Sequence, residues 1–163
     1  MKRLLFAFFC ALTLLSLFAS CKAADYRQDV SPYELANYLE AELGGERRRA
    51  LDDKAAFYGD LLPSAEQTSF ALRVAEDGSN LDEFGIFACA DETEAKTLAD
   101  KVKAYLNALD RTNREWYLSY IPAEVPKLQN AEVKTFGRYV AYAILGKNDR
   151  NRLFDLLRQK LLQ

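Results

Sequence analysis

Three groups of side chains in this sequence could do chemistry: its cysteines, its carboxylates and a tight run of tryptophan and tyrosine. Histidine does not occur among the 163 residues. That excludes Ser-His-Asp and Cys-His nucleophiles, His-ligated zinc and His acid–base catalysis. Of the three cysteines, Cys21 has the most informative setting. Met1-Lys2-Arg3 is a short positive start, Leu4 to Ala19 carries no charge, and small Ala19 and Ser20 stand directly before Cys21. A basic stretch, an apolar stretch and small residues at a cut describe a secretory signal peptide.

The segment Leu17-Phe18-Ala19-Ser20-Cys21 resembles the lipobox of bacterial lipoproteins, with the cut between Ser20 and Cys21 and acyl chains such as palmitate carried on Cys21. Two plainer readings stand beside it. A transmembrane anchor needs about 20 apolar residues, and this run is shorter. An ordinary secretory cut nearby, for example after Ala23, would release the protein. On the lipobox reading, residues 1–20 are a signal peptide, 21–30 the lipidated cysteine with a short tether, and 31–163 one globular domain. The expected address is the extracytoplasmic face of the cell membrane. Each buried CH₂ contributes about 0.8 kcal/mol, so two or more acyl chains hold a protein firmly.

A cut after Ser20 leaves 143 residues with 20 basic and 24 acidic side chains, enough chain for a proper core. A net acidic chain argues against nucleic acid as a partner. The charge is uneven: Glu76 to Glu94 holds seven acids and no base, whereas Lys127 to Gln163 holds eight bases and three acids. Cys10 leaves with the signal and Cys21 is acylated, so Cys89 has no intrachain partner. Within the apolar run Phe84 to Ala90 it reads as a small buried hydrophobe, because a nucleophilic thiolate needs an activating neighbour. No cofactor is expected. Loop acids Asp77, Asp82 and Glu83, with Asn80, could offer oxygen ligands to calcium. They lack EF-hand spacing, and an ordinary polar loop is the plainer reading.

The elements that must position these groups follow from capping and periodicity. Residues 22–30 read as a polar tether reaching roughly 15–18 Å on average and about 30 Å extended. Ser31 caps a first helix, with Pro32 at its first position and Glu34 at its third, and Val30 can staple to Leu35. Leu35, Leu39 and Leu43 form its apolar stripe, and Gly44-Gly45 ends it. Arg47-Arg48-Arg49 could touch an anionic bilayer at about 1 kcal/mol each. A solvated basic turn pairing with Asp52 and Asp53 is the plainer expectation. A short helix is expected through Ala55-Ala56-Phe57-Tyr58, ending at Gly59.

Phe70, Leu72 and Val74 alternate as one face of a strand, Asp77-Gly78-Ser79-Asn80 turns the chain, and Phe84 to Ala90 completes a hairpin. Asp91 caps the longest helix, with Glu94 at its third position. Ala95, Leu98, Ala99, Val102, Leu106 and Leu109 form its buried stripe. Leu98, Val102, Tyr105 and Leu109 could line a partner groove, although core packing is the plainer reading. The polar helix continues to Trp116, and Pro122 and Pro126 break the chain. Glu132 to Phe136 and Arg138 to Leu145 form a second hairpin turning at Gly137, with Tyr139, Ala141 and Ala143 on one face and Val140, Tyr142 and Ile144 on the other. Asn148 or Asp149 is expected to start the last helix, carrying Leu153, Phe154, Leu156, Leu157 and Leu161. The fold class is α+β: an antiparallel sheet of about four strands in two hairpins, packed by three main helices.

An ordered series of short motifs resembles the bacterial extracytoplasmic lipoprotein family known as domain-of-unknown-function family 4358. They are Ser31-Pro32-Tyr33-Glu34-Leu35, Phe57-Tyr58-Gly59, Glu83-Phe84-Gly85-Ile86-Phe87 before an Ala- and Lys-rich helix, Arg111, Tyr120-Ile121-Pro122-Ala123-Glu124, Leu128-Gln129-Asn130-Ala131 and Gly137-Arg138-Tyr139-Val140. The resemblance implies a surface lipoprotein of a Gram-positive, often clostridial, bacterium, and no known reaction.

Three functions are weighed. The first is a membrane-tethered, non-catalytic binding or assembly module with a protein or cell-wall partner near the membrane. Its contact surface would be the aromatic loop Trp116 to Pro122, with Trp116, Tyr117 and Tyr120 flanked by Arg114 and Glu124, since such rings supply rigid contact area. The plainer expectation is that these rings close the sheet edge as core. The second is a receptor for a small ligand or cell-wall fragment, which a pocket with convergent polar groups would favour. The third is a carboxylate-dependent hydrolase, which needs two acids facing each other across a cleft.

Overall fold

The computed structural model describes residues 24–45, 48–51 and 69–163. Ser20, Cys21, Arg47, Asp52, Asp53 and the short helix expected before Gly59 lie outside the described residues. The chain runs α1 (Pro32–Leu43), β1 (Arg48–Ala50), β2 (Ser69–Ala75), β3 (Glu83–Ala88), α2 (Glu92–Tyr120), α3 (Val125–Gln129), β4 (Glu132–Phe136), β5 (Tyr139–Ile144) and α4 (Lys147–Leu162). The sheet has five strands in the order β1-β2-β3-β5-β4, and each neighbouring pair is antiparallel. The expected α+β architecture therefore holds, with one strand more than the two hairpins supply.

That extra strand corrects the reading of the triple arginine. Arg48 and Arg49 are not in a solvated turn; they belong to the edge strand β1. Alternation sends Arg48 to one face and Arg49 to the other. Arg48 is buried and pairs with Asp82 at 3.1 Å and Glu40 at 3.4 Å.

Each sheet face is covered. Leu35, Ala36 and Leu39 of α1 and Leu153, Phe154, Leu157 and Leu161 of α4 pack on Phe84, Ile86, Tyr139, Ala141 and Ala143. On the opposite face, Ala95, Leu98, Ala99, Val102 and Leu106 of α2 pack on Phe70, Leu72, Phe87, Val140, Tyr142 and Ile144. The period-2 assignments of β2 and β5 are thus the observed ones. Cys89 is fully buried in this second layer, and burial pushes its thiol up to about 11.

Local signals start the first two main helices. The Ser31 hydroxyl oxygen accepts from the Glu34 N–H at 3.1 Å, and Asp91 accepts from the N–H groups of Thr93 and Glu94, each at 2.8 Å. Two boundaries differ from expectation. The segment Trp116 to Tyr120 is helix, not loop, because nothing between Glu92 and Ile121 interrupts the backbone ladder before Pro122. α4 starts at Lys147 after Gly146, without a side-chain cap. At about 1.5 Å per residue α2 is about 43 Å long. Among the described residues no helix is long and apolar enough to cross a membrane.

The segment read as a tether joins the fold from Tyr26. Its ring meets Phe136 edge-on at 5.7 Å. The Arg27 N–H donates to the Leu161 carbonyl at 2.9 Å. Tyr139 hydroxyl donates to the Val30 carbonyl at 2.8 Å and accepts from the Val30 N–H at 3.1 Å. Gly137 turns the β4–β5 hairpin at φ +58°, and a Cβ there would come within 3.0 Å of Gln28 Nε2. The chain thus enters the domain where that hairpin turns and α2 begins; the β2–β3 turn and the C-terminus of α2 lie at the other end.

Candidate functional site

At that other end, a cavity of about 380 Å³ opens between the sheet and the second half of α2. Its floor is one row of register partners: Arg49 faces Val74, Val74 faces Glu83, and Glu83 faces Ile144. Tyr105, Leu109 and Tyr117 of α2 stand opposite. Leu98 and Val102 of the suggested groove are core, whereas Tyr105 and Leu109 are half-buried and line this opening. The walls are chiefly apolar and aromatic, with a few polar groups converging, which is the usual make-up of a small-molecule site.

Glu83 is the chemically distinctive group. It starts β3 on the face shared with Phe87 and is half-buried, and the Tyr142 hydroxyl donates to its Oε1. Burial pushes its carboxyl up to about 7, although the Tyr142 hydrogen bond pulls the other way. Burial, and then the Glu83 charge, also raise the Tyr105 and Tyr117 phenols. Both tyrosines therefore stay neutral hydrogen-bonding groups.

The neighbouring acids are engaged. Asp82 Oδ1 accepts from Lys127 at 2.8 Å while its Oδ2 meets Arg48. Glu124 pairs with Lys127 at 2.7 Å and accepts the Leu81 N–H at 2.9 Å. Burial alone would lower the Lys127 ammonium, but its bonds to Asp82 and Glu124 raise it. Asp77 accepts from the Ser79 N–H and hydroxyl, each at 2.8 Å. Of the oxygens considered for calcium, those of Asp77, Asn80 and Asp82 thus serve ion pairs and the turn itself, while Glu83 accepts from Tyr142. Among the described residues no group of three or more His, Cys, Asp or Glu side chains is disposed to hold a metal ion.

The residues expected at a contact surface are only partly brought together. Trp116 and Tyr120 are 52% and 70% exposed, with ring centroids 5.1 Å apart. They do not close the sheet edge as core. Tyr117 meets Trp116 edge-on at 5.5 Å and turns its other side to the cavity, linking the two features. Glu124 holds the β2–β3 loop to α3, and Arg114 pairs with Asp110 one turn back on α2. Tyr142 was not singled out from sequence, and Glu83, Tyr105 and Arg49 were weighed only for other roles: a calcium ligand, a partner groove and a membrane contact. A signal existed for Glu83, a charge at a position where the strand's inward alternation calls for an apolar side chain.

The sequence profile of a domain of unknown function, DUF4358, matches residues 57–145. The chain belongs to the DUF4358 family. No curated protein and no solved structure matches it. The DUF4358 segment contains β2, β3, α2, α3, β4 and β5, and with them Glu83, Tyr105, Tyr117 and Tyr142. Arg49 and the helices α1 and α4 lie outside it.

Proposed function

We propose that this DUF4358 protein is a lipid-anchored module on the extracytoplasmic face of the cell membrane, which binds a protein or cell-wall partner and catalyses no reaction. The observation that carries this reading is the exposed pair Trp116 and Tyr120 at the tip of α2. Exposed, mutually packed aromatic rings are costly to leave in water and are enriched where partners dock. The signal segment ending at Cys21 supports the address, and a chain without histidine supports a non-catalytic role. Tyr120→Ala tests the surface. An exposed ring contributes little to stability, so the melting temperature of the variant should stay within about 2 °C of the parent. Crosslinking in cells through a photoreactive residue at position 116 should lose its partner band in that variant. A large fall in melting temperature, or an unchanged band, would remove this surface from the reading.

A second reading, a small-ligand receptor, is favoured by one specific observation: the cavity that joins Glu83 to Tyr105 and Tyr117. The two readings are compatible, since Tyr117 belongs to both features.

A further inference from the structure

Two opposite charges, Arg49 and Glu83, line the cavity, and among the described residues neither has a counter-ion. They occupy one register row with Val74 between them. Strands lie about 4.8 Å apart, so the two Cα atoms are about 10 Å apart across β2. The other acids of this wall have partners: Asp82 has Arg48 and Lys127, and Asp77 has Ser79. Tyr142 fixes the Glu83 carboxyl from the floor. The aromatic faces of Tyr105 and Tyr117 and the side chains of Leu109, Val74 and Ile144 offer apolar surface between the charges.

We propose that the cavity binds a small zwitterion with an apolar body, an amino acid or a short peptide, whose ammonium meets Glu83 and whose carboxylate meets Arg49. This deepens the receptor reading and rests on it. An extended dipeptide spans about 7 Å between its termini, which fits between two side chains that lean inward from Cα atoms about 10 Å apart. The cavity volume lies near the lower end of the range of about 300–1,000 Å³ for small-molecule sites, which excludes large ligands. Cation–π attraction from the tyrosine rings adds to the carboxylate at the ammonium end. A guanidinium binds a carboxylate through paired N–H donors, which gives the other end its direction.

The test is calorimetry on the purified full-length protein in detergent, with Leu-Leu, its N-acetyl form, its C-terminal amide, free leucine, and uncharged indole as a control. Leu-Leu or leucine should bind, and whichever binds more tightly identifies the source. Acetylation and amidation should each weaken binding by about 10-fold or more, the effect of losing one charge-assisted hydrogen bond. In Glu83→Gln the penalty for acetylation should vanish while that for amidation remains, and in Arg49→Gln the reverse. The modified ligands test the parent protein directly, so the assignment does not depend on either variant folding. Equal binding of all forms overturns the zwitterion and keeps the receptor. Binding of indole alone does the same. Binding of none of these probes overturns the zwitterion and the receptor reading with it.

Discussion

Glu83 has a consequence for stability as well as for binding. Its carboxyl titrates at about 7 in the folded chain against an ordinary 4.5, so between those values the folded state holds more protons than the unfolded one. Stability therefore falls as pH rises through this window and stays lower above it. Glu83→Gln keeps an acceptor for the Tyr142 hydroxyl and removes the titration. The variant should match the parent near pH 4.5 and exceed it at pH 8, by up to about 3 kcal/mol. Denaturant unfolding at a series of pH values would read this directly. Parallel profiles for the two proteins would mean that the site is wet enough for Glu83 to ionise normally.

At the scale of elements, β1 is joined to its surroundings through buried charge. It is three residues long, and the Arg48 guanidinium joins it to α1 through Glu40 and to the β2–β3 loop through Asp82. Arg48→Met should cost about 2–3 kcal/mol, because it leaves Glu40 and Asp82 short of a buried cation while Lys127 still serves Asp82. Lys103→Ala makes the contrast. Its pair with Asp100 is exposed on both sides, so the change should be within about 0.5 kcal/mol. Equal costs for the two would mean that the β1 cluster exchanges freely with water. α2 has the opposite character: its first half is core, and its last turn carries exposed rings beyond the sheet.

For the molecule as a whole, the end where the described chain joins the fold at Tyr26 and the end that holds the candidate site are opposite. A hollow lined by Ala24, Tyr26, Glu92, Lys96, Thr135 and Gly137 marks where the chain meets the start of α2. Trp116 lies about 36 Å further along that helix. Cys21 precedes Tyr26 by five residues, a span of at most about 18 Å. An acylated Cys21 would thus tether the end away from the cavity and leave the aromatic tip accessible to a ligand or partner. Cys21→Ser should abolish acyl labelling in cells and leave the precursor uncleaved. Persistent labelling of that variant would overturn the anchor.

What was legible in the sequence acts over a few residues. Ser31 and Asp91 announce helix starts because a side-chain oxygen reaches N–H groups two or three residues on. Leu35 and Leu39, or Tyr139, Ala141 and Ala143, share faces because backbone geometry repeats every 3.6 or 2 residues. The candidate site is of another kind. Arg48 looked like a solvated charge because its partner Asp82 is 34 residues away, and β1 exists only as an addition to β2. Arg49, Val74, Glu83 and Ile144 come from four strands and meet only when the register is set. Trp116 and Tyr120 resembled core by composition, but α2 runs past the edge of the sheet and leaves them in water. Local propensity sets which way each side chain faces along its own element, while the assembly of elements decides which charges and rings share a cavity.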